Sequence, residues 1–254
     1  MRQSTLTLTV LLAFGFLSQA EAAPANDVRI LEITASSSCA AHDFKKRGRP
    51  PKGLIAGTAL LYSKRYCELK RHANAIVAQI SGVAPNKSRD ALELYNKAAG
   101  TPTERLRALF ALGIGEAMRE SSGNFTEGFD KTVSDPTAET AEAGLFQVSH
   151  DSINDSPLLQ QVIDEYTRAP QACLVDTFQR GIKDRKTAVI GDGPGAEFQT
   201  RMKSCPALAM DYGLIMLRVN RAHFGPIKRK EAELLPECEI LLHEIEVETD
   251  RTCP

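Results

Sequence analysis

The run Thr101-Pro102-Thr103-Glu104 constrains this chain more than any other short segment. Threonine at the N-cap, proline at the first helical position and glutamate three residues on can satisfy the free backbone donors that open a helix. The helix should run to about Glu120, where Ser121-Ser122-Gly123-Asn124 supplies stopping chemistry. Leu106, Phe110, Ile114, Ala117 and Met118 fall on one apolar face, so this rod is expected in the middle of the molecule. Gly113 and Gly115 each cost about 1 kcal/mol relative to alanine inside a helix. Their presence predicts that another part of the chain packs closely there.

The remaining apolar spacing is also helical. Leu54, Leu61, Leu69, Ile76 and Ile80 suggest helix between Gly53 and Ile80, and Arg89 to Ala98 suggests a shorter one. Further helices are expected from Ser156-Pro157 to about Arg168 and from Gln171 to Gly181. Cys205-Pro206 should begin a strongly apolar helix ending near His223-Phe224-Gly225-Pro226, and Arg229 to Val247 should form another, bent near Pro236. Gly191-Asp192-Gly193-Pro194-Gly195 reads as a loop without the preceding strand of a phosphate-binding turn. The expected fold class is mainly α, with a buried central helix and little or no β structure.

Arg2, the apolar run Leu6 to Phe16 and the small residues Ala20-Glu21-Ala22 have the three parts of a secretory signal, giving residues 1–22 as a leader. No later stretch reaches the roughly 20 apolar residues of a membrane span. Residues 23–52, broken by Pro24, Gly48, Pro50 and Pro51 and carrying Lys45-Lys46-Arg47-Gly48-Arg49, read as an irregular arm. Residues 53–254 then form one domain, in a protein expected in the periplasm or outside the cell. Six cysteines fit disulfides in such a compartment, and chain order suggests Cys39–Cys67, Cys173–Cys205 and Cys238–Cys253.

A net charge of −1 gives no broad electrostatic case for nucleic acid or anionic lipid. No HExxH spacing or Cys/His cluster is present, so neither a metal nor a cofactor is expected. No GxSxG elbow supports a serine hydrolase, and paired cysteines are poor nucleophiles. The chemistry concentrates instead around Glu120 and the acidic stretch after it, with Glu127, Asp130, Asp135, Glu139 and Glu142. A carboxyl group at the end of an apolar helix can be held protonated near neutral pH, as a general acid requires. A second carboxylate could serve as base or nucleophile; Asp130 and Glu142 are the preferred partners. His150 with Asp151, and His223, read first as structural residues.

Glu120-Ser121-Ser122-Gly123 after an apolar helix, followed by Ala143-Gly144-Leu145-Phe146-Gln147-Val148, resembles the lysozyme-like superfamily, especially goose-type lysozymes and soluble lytic transglycosylases. The likeness covers about Leu106 to Asp151. The wider layout, with Arg218 to Ile227 and the cysteine pattern, also resembles exported bacterial proteins that carry lysozyme-like domains. The resemblance implies Glu120 as catalytic acid, Ser121 and Ser122 as substrate contacts, and Gly144, Leu145, Phe146 and Gln147 as cleft wall. Peptidoglycan is the implied partner. Ser149 stands where goose-type lysozymes place an acid, and no Ala-Tyr-Asn-Ala-Gly segment is present. Two other readings remain open: a chitosanase or chitinase-like hydrolase drawn to a cationic polymer by the acidic loop, and a wall-binding protein without turnover.

Overall fold

A computed structural model describes residues 25–129, 134–221 and 224–253. The expected leader 1–22, Asp130 and His223 lie outside them. The helices are α1 (Ala25–Ser36), α2 (Ser38–Ala41), α3 (Lys52–Lys70), α4 (Ala75–Ser81), α5 (Ala91–Leu94), α6 (Pro102–Ser121), α7 (Pro157–Arg168), α8 (Val175–Phe178), α9 (Gly193–Ser204), α10 (Pro206–Val219), α11 (Gly225–Arg229) and α12 (Pro236–Thr249). Among the described residues β structure is limited to two isolated bridges, Phe44–Gly48 and Ala143–Val148. The fold is mainly α.

The cap that opens α6 forms as its sequence demands. Thr101 Oγ1 accepts from Glu104 N at 3.2 Å, while Glu104 Oε2 accepts from Thr101 N at 2.7 Å. Residues Ala108 to Met118 are buried without interruption, so apolar and small side chains meet neighbours on every side of the rod. α3, α4, α10, α11 and α12 pack around it. The close packing implied by its glycines is present: a Cβ at Gly115 would lie 2.1 Å from the carbonyl oxygen of Glu233, and one at Gly113 would lie 2.6 Å from Leu214 Cδ2.

Buried polar groups tie the surrounding helices together. Arg65 of α3 donates Nε to Asp211 Oδ2 of α10 at 3.0 Å, and the same oxygen receives Tyr166 Oη of α7 at 2.8 Å. Glu246 of α12 accepts from Tyr62 of α3 and from Arg107 Nη1 of α6 at 2.8 Å. Each charge thus has a partner of opposite sign, the condition under which such groups tolerate burial.

Several sequence expectations are corrected. The described part of the arm expected to be irregular contains helix: α1 turns Ile30 and Thr34 inward, one helical turn apart, against α3 and α12. The helix expected from Gln171 to Gly181 is interrupted at Leu174, whose φ is 55°. Gly193-Pro194 opens α9 instead of remaining in a loop, since proline is well suited to a first helical turn. Pro236 likewise starts α12, and Val219 rather than His223 ends α10.

Of the expected disulfides only Cys173–Cys205 is formed; the others are Cys39–Cys238 and Cys67–Cys253. Pairing by chain order fails because α1 and α2 fold back onto α12, which brings residues separated by 199 positions together. Three disulfides suit an oxidising compartment. No helix among the described residues is long and apolar enough to cross a membrane.

Substituting Gly115→Ala should cost about 1–3 kcal/mol, because the new methyl meets backbone that has no side chain to swing away. Equilibrium denaturation of the oxidised protein checks this; unchanged stability would show that the Glu233 loop yields without cost.

Candidate active site

α6 ends at a cleft of about 540 Å³. Its lining includes Glu120, Ser121 and Ser122 from the helix end, Glu127 and Phe129 from the following loop, and Glu142 and Gln147. Arg47 and Lys186 complete its charged rim. The helix stops because Ser122 takes a left-handed conformation, φ 54°, and Gly123 N then donates to Ala117 O at 3.0 Å. Ser121 Oγ turns back to Ala117 O at 2.9 Å, a bond that stiffens the final turn.

Glu120 is half-buried, whereas Glu116, one turn earlier on the same face, is completely buried. Neither oxygen of Glu116 has a fixed hydrogen-bond donor. Its contact is the carboxyl group of Glu120. Two ionised carboxylates there would repel each other away from water; one proton between them supplies the missing donor. Burial pushes Glu116 well above the usual carboxylate range, and the charge of Glu120 pushes it further. Burial also raises Glu120, against the lowering effects of the Glu116 hydrogen bond and of Arg47, Arg229 and Arg119. The pair therefore behaves as one unit that keeps a proton beyond the ordinary carboxylate range.

Arg119 does not neutralise the pair directly. Its guanidinium is engaged by Glu231 Oε2 at 3.0 Å and by Lys45 O at 3.1 Å.

The segment Ala143–Val148 is a closed turn. Ala143 N donates to Val148 O at 2.9 Å and Val148 N returns to Ala143 O at 3.3 Å. Gly144 has φ 79° and donates its N–H to Glu127 O at 3.0 Å, fixing the turn to the loop after α6. This geometry sends Leu145 and Phe146 inward and leaves Gln147, φ 48°, at the cleft. Phe146 packs where α10 has Gly213, at which a Cβ would come within 2.4 Å of the ring. The cleft-wall expectation is thus corrected for Gly144, Leu145 and Phe146: they shape and support the turn but do not line the cleft. Phe129 supplies the aromatic wall instead. The Gln147 amide finds a backbone partner, donating Nε2 to Gly144 O at 2.9 Å.

Among the acids weighed as partners for Glu120, the structure brings Glu127 and Glu142 to the cleft. Glu127 is ion-paired with Lys186. Asp135 and Glu139 are exposed and lie outside the cleft lining. His150 packs edge-on against Phe198, and Asp151 accepts from Ser149, so these two form a structural corner. No cluster among the described residues could hold a metal ion.

Glu116, Arg47, Lys186 and Phe129 were not identified as site residues from sequence. Glu116 had a readable signal, a second carboxylate one turn before Glu120 within an apolar helix. Lys186 had none, since long-range folding carries it to Glu127.

Comparison of the chain with protein-family models, curated proteins and solved structures gives no match.

Because the folded pair binds protons more tightly than unfolded glutamates, stability should fall as pH rises from the ordinary carboxylate range through the raised one. Glu116→Gln removes the most buried charge while keeping the shape. Its melting temperature relative to wild type should rise progressively from pH 5 to pH 8; a difference independent of pH would rule out the shared proton.

Proposed function

We propose that the chain is a glycan-cleaving enzyme acting on the amino-sugar strand of peptidoglycan, with Glu120 as general acid. The observation that carries this reading is the position of Glu120: it borders an open cleft on one side and a buried carboxyl on the other. Such a group can remain protonated in neutral solution and still reach a substrate. The likeness to lysozyme-like proteins around Glu120 and Gly144–Gln147 supplies the substrate class.

In the proposed reaction Glu120 gives its proton to the glycosidic oxygen as the bond to the anomeric carbon breaks. Positive charge then develops on the sugar ring, facing the carboxylate left on Glu120 and the acids Glu127 and Glu142. Either water or a hydroxyl of the same muramyl unit completes the bond to carbon. With water, the proton released passes to a carboxylate in the cleft, Glu127 or Glu142. With the internal hydroxyl, the proton returns to Glu120 and an anhydro ring forms. Glu116 is a positioning residue: it holds the proton beside Glu120 without reaching the cleft.

Phe129 gives a sugar ring an apolar face, and Ser122 and Gln147 give polar contacts at its edge. Peptidoglycan is preferred to chitosan on the lysozyme-like likeness alone, since the cleft balances Arg47 and Lys186 against Glu127 and Glu142.

Glu120→Gln should reduce release of soluble fragments from purified sacculi by roughly 10²- to 10⁴-fold while leaving sacculus binding intact. Glu116→Gln should retain activity but change the pH at which the rate is lost, because Glu120 then titrates without a coupled carboxyl. Wild-type protein that binds sacculi without releasing fragments would establish the wall-binding alternative. Full activity of Glu120→Gln would overturn the proposed acid.

A further inference from the structure

Beside the cleft lies a second cavity of about 330 Å³, lined by Lys45, Lys46, Arg119, Lys230, Glu231 and Glu233. We propose that it is a subsite for the carboxylates of an acidic peptide carried by the glycan strand. This inference rests on the proposed peptidoglycan substrate and assigns a recognition role outside the cutting cleft.

Its two acids already have partners. Glu231 receives Arg119 at 3.0 Å and Arg229 at 2.8 Å; Glu233 receives Lys45 N at 3.0 Å and meets His42 Nε2 at 3.4 Å. Lys45, Lys46 and Lys230 make no salt bridge among the described residues. The cavity lining carries four cations against two acids, an excess of positive charge. Lys45 and Lys46 are held there by the turn Phe44–Gly48: buried Phe44 anchors it, Phe44 N bonds Gly48 O at 3.0 Å, and Arg119 Nη1 holds Lys45 O at 3.1 Å.

The cavity and the cleft share their supports. Arg47 of this turn lines the cleft while Lys45 and Lys46 line the cavity. On α6, Glu120 faces the cleft and its neighbour Arg119 the cavity. A strand cut at Glu120 would therefore carry its side substituents past the lysines. Peptidoglycan substituents are short peptides bearing carboxylates and amines. Their carboxylates match a lining with an excess of cations, and the choice of a peptide over another anion follows from the proposed substrate.

The test is a combined Lys45→Gln, Lys46→Gln and Lys230→Gln variant with an unchanged melting temperature. Binding of a purified disaccharide-peptide and of the peptide-free disaccharide is measured by calorimetry, using Glu120→Gln protein with and without the lysine changes. The peptide-bearing fragment should bind more tightly, and loss of the lysines should weaken it about tenfold while leaving the bare disaccharide unaffected. Equal binding of both fragments, or equal loss for both, would overturn the subsite; inorganic phosphate competing as well as the peptide would assign the lysines to a general anion site instead and also overturn it. In digestion, wild-type protein should prefer peptide-bearing strands to strands stripped by an amidase, and the lysine variant should lose that preference at an unchanged rate on stripped strands. Cleavage of neither substrate would defeat the enzymatic reading, while the binding result still decides the subsite.

Discussion

Glu116 is buried where a lone carboxylate would be severely destabilising, and its contact is another acid. The surroundings of α6 follow from that constraint. A proton held between it and Glu120 would supply the hydrogen bond that the buried oxygens lack, and the cations Arg47, Arg119 and Arg229 favour the charged form of Glu120. The fold thereby accepts an unstable feature at the boundary between core and solvent. Strain of this kind is commonly concentrated at functional sites and compensated elsewhere.

That compensation is visible in the structure. The buried interior of α6, the pairing of Arg65 with Asp211, the link from Tyr62 and Arg107 to Glu246, and the three disulfides hold the surrounding helices in place. Gly115 lets the backbone at Glu233 approach the helix, and Glu233 in turn fixes the turn carrying Lys45 to Arg47. One close helix contact thus helps place the basic rim beside Glu120. The Ala143–Val148 turn does the same from the other side, using Phe146 as its anchor and presenting Gln147 to the cleft.

Local chemistry was legible in sequence. Thr101, Pro102 and Glu104 specified the start of α6, and Ser122 and Gly123 its end, because capping depends on residues adjacent in the chain. Glu120, Ser121, Ser122, Glu142 and Gln147 do meet at one cleft. The side taken by Leu145 and Phe146 was open in sequence because an apolar pair in a turn can face a ligand or the core, and packing against distant elements, such as Phe146 on Gly213, turns them inward. The disulfides joining α2 to α12 and α3 to the C-terminal segment were illegible for the same reason: the proximity of their cysteines is a property of tertiary packing. Glu116 could have been seen by its spacing, yet its burial required the fold.

The shared proton can be observed directly by carbon-13 NMR of glutamate carboxyl groups, assigned with Glu116→Gln and Glu120→Gln. The wild-type pair should lose its last proton above the ordinary carboxylate range, with both signals changing together. Independent titration of both groups near the ordinary glutamate value of about 4.3 would contradict the proton-holding site.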